Sequence, residues 1–296
     1  MDDDEGAISR RTLLLGGLSA AVVAGGAGVY AERNSPTVRR LLGGCGGTPA
    51  VPHSDYTLTT GTLQSAAMQG SLSWVVALPP GHSPGDGTPV VLCLPGLHGG
   101  PGSMTNAVGL PGFATASGVR LALATPDGGG TSYWHPRRHG RDPLGYLLDE
   151  FLPMVEQRFG VGGSKDKRGT LGWSMGGFGA LLVAQQRPDL VSAAVGMSPA
   201  VFPSYDAARS GHSYTFDSAA DWQRYGLWEH LGDLSGTAVR IDCGDGDPFA
   251  PTVRELLKRI PGVTGHIGSG CHDNAFWRRS AAAELRFLAA RLTGQQ

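Results

Sequence analysis

Charge is scarce in this sequence and nearly balanced. Only 17% of its 296 residues are charged, and 24 basic against 25 acidic side chains leave a formal net charge of −1. With no excess of either sign there is no long-range attraction for nucleic acid or for an acidic membrane face, so neither is expected as a partner. Cysteine is scarce too. Cys45, Cys93, Cys243 and Cys271 are the full set, and no two stand at metal-ligand spacing, so neither a metal nor a cofactor is expected. No internal repeat is visible, which argues against a solenoid or array. Glycine and proline are plentiful, at 47 and 20, and suggest long structured loops over a regular scaffold. A hydrophobic content of 41% is ample for a core, and the length suits one large α/β domain or two small ones.

The longest apolar run stands at the N-terminus. Residues 9–15 read Ser-Arg-Arg-Thr-Leu-Leu-Leu, and a Gly/Ala-rich apolar stretch continues to Ala31. A twin arginine directly before a modestly hydrophobic run has the form of a Tat export signal. The run also approaches the length that spans a bilayer, so a plain membrane anchor is the alternative. Val29-Tyr30-Ala31 resembles a small-x-small cleavage site loosely, which leaves anchored and released forms both open. Leu42-Gly43-Gly44-Cys45 has the outline of a lipidation box, but Glu32, Arg33, Arg39 and Arg40 separate it from the apolar run. Residues 1–31 are therefore assigned to a signal or anchor, 32–52 to a polar Gly/Pro-rich linker and 53–294 to the folded domain. The expected location is beyond the cytoplasmic membrane, secreted or tethered to it.

From residue 53 extended and helical segments alternate, the pattern of a mostly parallel sheet covered on both faces. Tyr56–Ala66 and Ser71–Leu78 suggest an antiparallel opening pair. Val90–Leu94 is short and continuously apolar, as a buried central strand should be. Val119–Thr125, Lys167–Trp173, Ser192–Met197, Ala238–Cys243 and Val263–Ile267 read as further strands. Pro143–Phe159 carries Leu144, Leu147, Leu148, Phe151, Leu152 and Val155 at helical spacing, and a last helix runs from about Ala275 to Leu292. That order is the α/β-hydrolase arrangement, with its sites at the carboxyl ends of the strands. Between Pro199 and Gly236 the pattern fails. The irregular aromatics there suggest an insertion over the active site, or a surface excursion packed on the domain.

Residues 172–177 read Gly-Trp-Ser-Met-Gly-Gly, between a strand and the small-residue helix Met175–Gln186 that Pro188 stops. This is the G-x-S-x-G nucleophile elbow. Gly172 and Gly176 are needed because a side chain at either would strike the neighbouring strand or helix. A serine hydroxyl is a weak nucleophile and needs a positioned base, and in this fold the chain order is serine, acid, histidine. Of the downstream histidines, His272 follows the last strand through Gly268-Ser269-Gly270-Cys271 and precedes a helix, where the fold delivers its base. His266 falls within the strand pattern, and His212 and His230 break the order. The acid should follow Ala238–Cys243. Asp242 is still in the strand, and Asp245 and Asp247 stay open on local grounds because either could be a turn residue bonded to its own backbone. One oxyanion donor is the Met175 N–H at the start of the nucleophile helix. The second is expected at Leu97, with Gly99 or Gly100 as alternatives, in the loop Pro-Gly-Leu-His-Gly-Gly-Pro-Gly. His98 in that loop is expected to be structural.

The segment Gly-Trp-Ser-Met-Gly-Gly-Phe-Gly-Ala-Leu resembles the nucleophile region of the esterase D family of α/β-hydrolases, which includes S-formylglutathione hydrolases and mycolyltransferases. The likeness extends through residues 126–136, 142–153, 198–200, 244–249 and 270–277. The resemblance implies Asp247 as the acid, two residues before Phe249, and a second oxyanion donor after the glycine of a His-Gly or Asp-Gly pair. Here that pair reads Pro95-Gly96, a departure from the family. It implies a serine carboxylesterase that acts on small-molecule or lipid esters through an acyl-enzyme, with Ser174, His272 and Asp247 catalytic; the N-terminal segment makes it an exported one. A mycolyltransferase-type acyltransferase, moving the acyl group to a sugar or other alcohol, shares the same triad. A non-catalytic binding module is opposed by the filled triad positions. Tyr133, Trp134 and His135 would line the pocket or brace their loop. Cys243 and Cys271, on the acid and histidine loops, would form a disulfide or remain two buried thiols. Acyl length and oligomeric state are left undefined.

Overall fold

The computed structural model of the protein describes residues 44–294. The expected signal or anchor at 1–31, and the linker as far as residue 43, lie outside the described residues. The strands are β1 (Thr57–Ser65), β2 (Gly70–Leu78), β3 (Val90–Leu94), β4 (Ala122–Pro126), β5 (Arg168–Trp173), β6 (Ala193–Met197), β7 (Ala238–Gly244) and β8 (Thr264–Gly268). They form one sheet in the order β1-β2-β4-β3-β5-β6-β7-β8. β1 pairs antiparallel with β2, and β2 antiparallel with β4; every pairing from β4 to β8 is parallel. This is the α/β-hydrolase fold, with five-residue strands such as Val-Val-Leu-Cys-Leu buried throughout because helices cover both faces.

Side-chain alternation divides the core in two. Val90, Leu92 and Leu94 of β3 and Val239, Ile241 and Cys243 of β7 point to one face. Val91 and Cys93 point to the other, where Leu285, Leu288 and Leu292 of the last helix pack. The helices in chain order are α1 (Leu110–Ser117), α2 (Leu152–Phe159), α3 (Met175–Gln186), α4 (Tyr205–Gly211), α5 (Ala219–Tyr225), α6 (Ala250–Arg259) and α7 (Asn274–Thr293).

The single helix expected over Pro143–Phe159 is divided into a short turn, a wide π-type stretch at Tyr146–Phe151 and α2. Pro153 is the reason. It has no N–H to donate to residue 149, and the widened turn lets Leu152 N–H bond back to Leu147 C=O instead.

The described end of the expected linker is tied to the domain. Arg278 Nη1 donates to Pro49 O, and Arg279 donates to Gly47 O and Cys45 O. Cys45 is joined by a disulfide to Cys271, with Cα atoms 5.1 Å apart. The Cys243–Cys271 bridge considered from sequence is therefore not formed, and Cys243 is a buried free thiol. Strand alternation explains it: Cys243 shares the face of Val239 and Ile241, opposite the face that α7 covers.

Candidate active site

Ser174 joins β5 to α3 with φ 57° and ψ −121°. A non-glycine residue held there costs about 1–3 kcal/mol, which the surrounding packing must offset. A Cβ on Gly172 would overlap the Gly176 carbonyl, and one on Gly176 would overlap Leu94 O, so strand and helix meet backbone to backbone. The turn leaves the serine hydroxyl clear at the carboxyl edge of the sheet.

Two loops meet it. The β7 loop carries Asp247, whose side chain is fully buried; its Oδ1 accepts from Phe249 N at 2.8 Å. The β8 loop carries His272. Its Nδ1 lies 2.7 Å from Asp247 Oδ2, and its Nε2 lies 2.8 Å from Ser174 Oγ. With Nδ1–H donating to the carboxylate, Nε2 keeps its lone pair for the serine hydrogen. Asp245 holds the two loops together. Its Oδ1 accepts from Gly270 N, its own N–H bonds Gly268 O, and Gly246 N bonds Gly270 O. The choice that local sequence left open is thus resolved by geometry, with Asp247 at the histidine and Asp245 as loop lacing. Asp242 serves a third arrangement, accepting from Arg240 and from both N and Nδ1 of His266. Next to Asp242 lies fully buried Glu284 of α7, whose pKa burial and then the Asp242 charge push well above the usual carboxylate range.

Met175 N–H is the first of α3, and the Leu97 N–H lies in the loop after β3. Neither has an acceptor among the described residues, and both Leu97 and Ser174 line one cleft. In that loop Gly96 backs directly on Ser174: a Cβ there would lie 3.3 Å from Ser174 Cβ. His98, with φ 56°, donates its N–H to Gly130 O and so ties this loop to the next.

The cleft holds about 790 Å³ and is mostly apolar. Tyr133 lines it as expected. Trp134 and His135 do not, and their assignment to the pocket is corrected. Trp134 is buried with its ring against Gly179 of α3. His135 is buried between the rings of Phe216 and Tyr225, at 5.1 and 5.2 Å, and its ring nitrogens face Pro136 O and Thr215 O. Consecutive left-handed residues at Tyr133 and Trp134 turn the chain so that the second and third side chains enter the core. Arg137 completes the brace, bonding Ser132 O, Thr215 O, Tyr214 O and Asp217. This pins the 199–236 insertion over the sheet edge.

Walls that sequence reasoning did not assign come from Phe202, His212, Phe249 and Trp277. Trp277 stands edge-on to His272 at 5.5 Å, and Phe249 lies 5.4 Å from the same ring. Their nearness to His272 and Asp247 in sequence was the available signal. Among the described residues, Cys45, Cys271 and Asp273 bring three metal-ligand atoms within 4.8 Å, but the two sulfurs are bonded to each other.

A strained serine, an imidazole on its hydroxyl and a buried carboxylate on that imidazole, set in an α/β-hydrolase sheet, are the apparatus of serine-dependent acyl chemistry. The family model described as "Putative esterase" matches residues 65–288. The chain belongs to this esterase family and is a serine carboxylic ester hydrolase. Solved structures are similar in fold. An S-formylglutathione hydrolase from Agrobacterium tumefaciens is 20% identical, with TM-score 0.68 over 84% of this chain and 99% of that one. A CE1 ferulic acid esterase from Anaeromyces mucronatus is 19% identical, with TM-score 0.63 over 84% and 95%. MPT51 of Mycobacterium tuberculosis is 16% identical, with TM-score 0.64 over 81% and 100%.

Proposed function

We propose that the protein is an exported carboxylesterase in which Ser174 is the nucleophile, His272 the general base and then acid, and Asp247 the group that orients the imidazole. The continuous line from Asp247 Oδ2 through His272 to Ser174 Oγ, with separations of 2.7 and 2.8 Å at the floor of the cleft, carries this reading.

Ser174 Oγ attacks the ester carbonyl while its hydrogen passes to His272 Nε2. The negative charge that grows on the carbonyl oxygen is met by the Met175 and Leu97 N–H groups, at the positive end of α3. Asp247 stabilises the imidazolium. His272 then gives its proton to the departing alkoxide, and an acyl group remains on Ser174. Water, deprotonated by the same nitrogen, attacks the acyl carbon. The free acid leaves and the serine regains its hydrogen. Export is supported by Arg10-Arg11 before an apolar run, and a Cys45–Cys271 disulfide suits an oxidising compartment. The same run would tether the enzyme if it is not cleaved.

The test is hydrolysis of an ester panel of graded chain length, with Ser174→Ala as the blank. A fall in kcat of about 10⁴-fold or more is expected. A Ser174→Ala protein as active as the parent would end the proposal. The volume of the cleft, about 790 Å³, also favours a second reading as an acyltransferase, because an alcohol acceptor fits beside an acyl chain. With trehalose present, acyl-trehalose appearing faster than free acid would select that reading.

A further inference from the structure

The cleft wall contains a second imidazole that the chemistry above leaves idle. His212 follows α4 in the insertion and lines the same cleft as Ser174 and His272. Its neighbours form a continuous wall. His272 lies against Phe249 at 5.4 Å, Phe249 against Phe202 at 5.5 Å, and Phe202 meets the His212 ring edge-on at 6.1 Å. On its other side the His212 ring stacks on Tyr214, with centroids 5.4 Å apart and 25° between planes. Two rings therefore fix its orientation, which a mobile surface histidine would lack.

The partner of Nδ1 bears on its tautomer. The Tyr214 hydroxyl lies 3.2 Å from His212 Nδ1. With that hydroxyl donating to Nδ1, the neutral ring carries its own hydrogen on Nε2. Burial, and then the neighbouring His272, lower the His212 pKa and so favour the neutral ring. That Nε2–H has no acceptor among the described residues. A lone donor in a largely apolar wall costs free energy unless something entering the cleft accepts from it.

We propose that His212 is a specificity-determining residue whose Nε2–H donates to an oxygen on the substrate group lying along Phe202 and Phe249. Preferred esters then carry a carbonyl, ether or hydroxyl oxygen on that group, several bonds from the scissile carbonyl. Plain hydrocarbon fills the same wall but leaves the donor unpaired. This rests on the esterase reading and narrows its substrate class. His212 has no part in moving the serine hydrogen, because His272 already holds both the serine and the acid.

The test is acid release from two matched pairs of esters: ethyl hexanoate against ethyl 5-oxohexanoate, and hexyl acetate against 5-oxohexyl acetate. The ratio of kcat/KM within each pair is read, rather than the rate on either ester. In one pair the oxo ester should be favoured about three- to tenfold, the worth of one neutral hydrogen bond. His212→Phe should bring that ratio to about one, mainly through KM, and His212→Gln, which keeps an amide donor, should restore part of it. Labelling of Ser174 by a fluorophosphonate confirms that each variant keeps its site; if His212→Phe fails to label, His212→Gln and His212→Leu decide in its place. An active parent with no oxygen preference in either pair overturns the proposal, as does a preference that survives removal of the imidazole. A parent inactive on all four esters overturns the esterase reading first, so the two failures are distinct.

Discussion

Replacing Cys45 with serine removes a covalent link between the start of the described chain and the residue next to His272. The bridge closes a loop of 226 residues. Chain-entropy arithmetic puts the ceiling for such a loop at about 5 kcal/mol, and native bridges are commonly worth about 2–5 kcal/mol. Part of that survives in this protein. Arg278 and Arg279 still hold Pro49 O and Gly47 O after the sulfur is gone, so residues 47–52 need not leave the surface. A loss of about 3 kcal/mol is therefore expected, which for a domain of this size lowers Tm by about 6–12 °C. Activity should respond far less. His272 is also held by Asp247 Oδ2, and its loop is laced to the acid loop by Gly270 N to Asp245 Oδ1 and Gly246 N to Gly270 O. Below the new Tm, kcat should fall less than about tenfold, because none of these restraints passes through sulfur. The assay pairs thermal unfolding with ester hydrolysis at 25 °C, after a thiol count on the denatured parent. Two thiols, Cys93 and Cys243, should react without reductant and all four with it. A Tm within 2 °C of the parent would refute the stabilising role. A hundredfold loss of kcat with little change in Tm would refute the claim that loop lacing alone positions the histidine.

Asp247→Asn should keep the cleft but present the wrong group to His272 Nδ1, lowering kcat by about 10⁴-fold; a loss under tenfold would remove Asp247 from the mechanism. Gly176→Ala should abolish folding or fluorophosphonate labelling, since its methyl overlaps Leu94 O; a stable, reactive variant would contradict the close approach of α3 to β3. Glu284 gives a pH prediction. Its pKa is raised in the folded protein, so its contribution to stability is fully present below the unfolded value of about 4.3 and is lost as pH rises toward the folded one. Glu284→Gln cannot ionise and should flatten the decline of Tm as pH rises above the unfolded value. Parallel curves for parent and variant would show that this carboxyl is not held protonated. Arg137→Ala removes three bonds between the 128–141 loop and the insertion, and should raise KM more than it lowers kcat. Equal KM values in parent and variant would mean that the insertion needs no brace to shape the cleft.

What the sequence disclosed and what it hid follow from how far each decision reaches along the chain. The serine was legible because its elbow is a local object: a strand, two glycines that must lack side chains, and a helix of small residues, all within about fifteen positions. His272 was legible through its place after the last strand and before a helix. Asp247 was not separable from Asp245 by local chemistry, since both are loop carboxylates that can accept from backbone N–H groups. A partner 25 residues away decides between them, histidine for one and Gly270 N for the other. Helix α1 gave no usable signal because Pro111 and Gly112 interrupt its apolar spacing, whereas α6 carries Ala250, Val253, Leu256 and Leu257 at helical spacing, a signal present in the sequence but not used. The bridge to Cys45 was hidden because the strand-facing rule that turns Cys243 away from α7 needs the sheet first, and the tether of residues 45–52 depends on two arginines more than 200 positions downstream.

The pocket shows the same limit in its sharpest form. Tyr133, Trp134 and His135 are consecutive and chemically alike as wall residues, yet one faces the cleft and two are packed inside. Two left-handed residues in a row set that outcome, and the partners that hold it are Gly179, Phe216 and Tyr225, 45 to 90 positions away. Chemistry in this fold sits at strand ends, where local pattern locates it. Specificity sits in walls assembled from distant segments such as Phe202, His212 and Phe249, so residues that choose the ester emerge only when those segments are brought together.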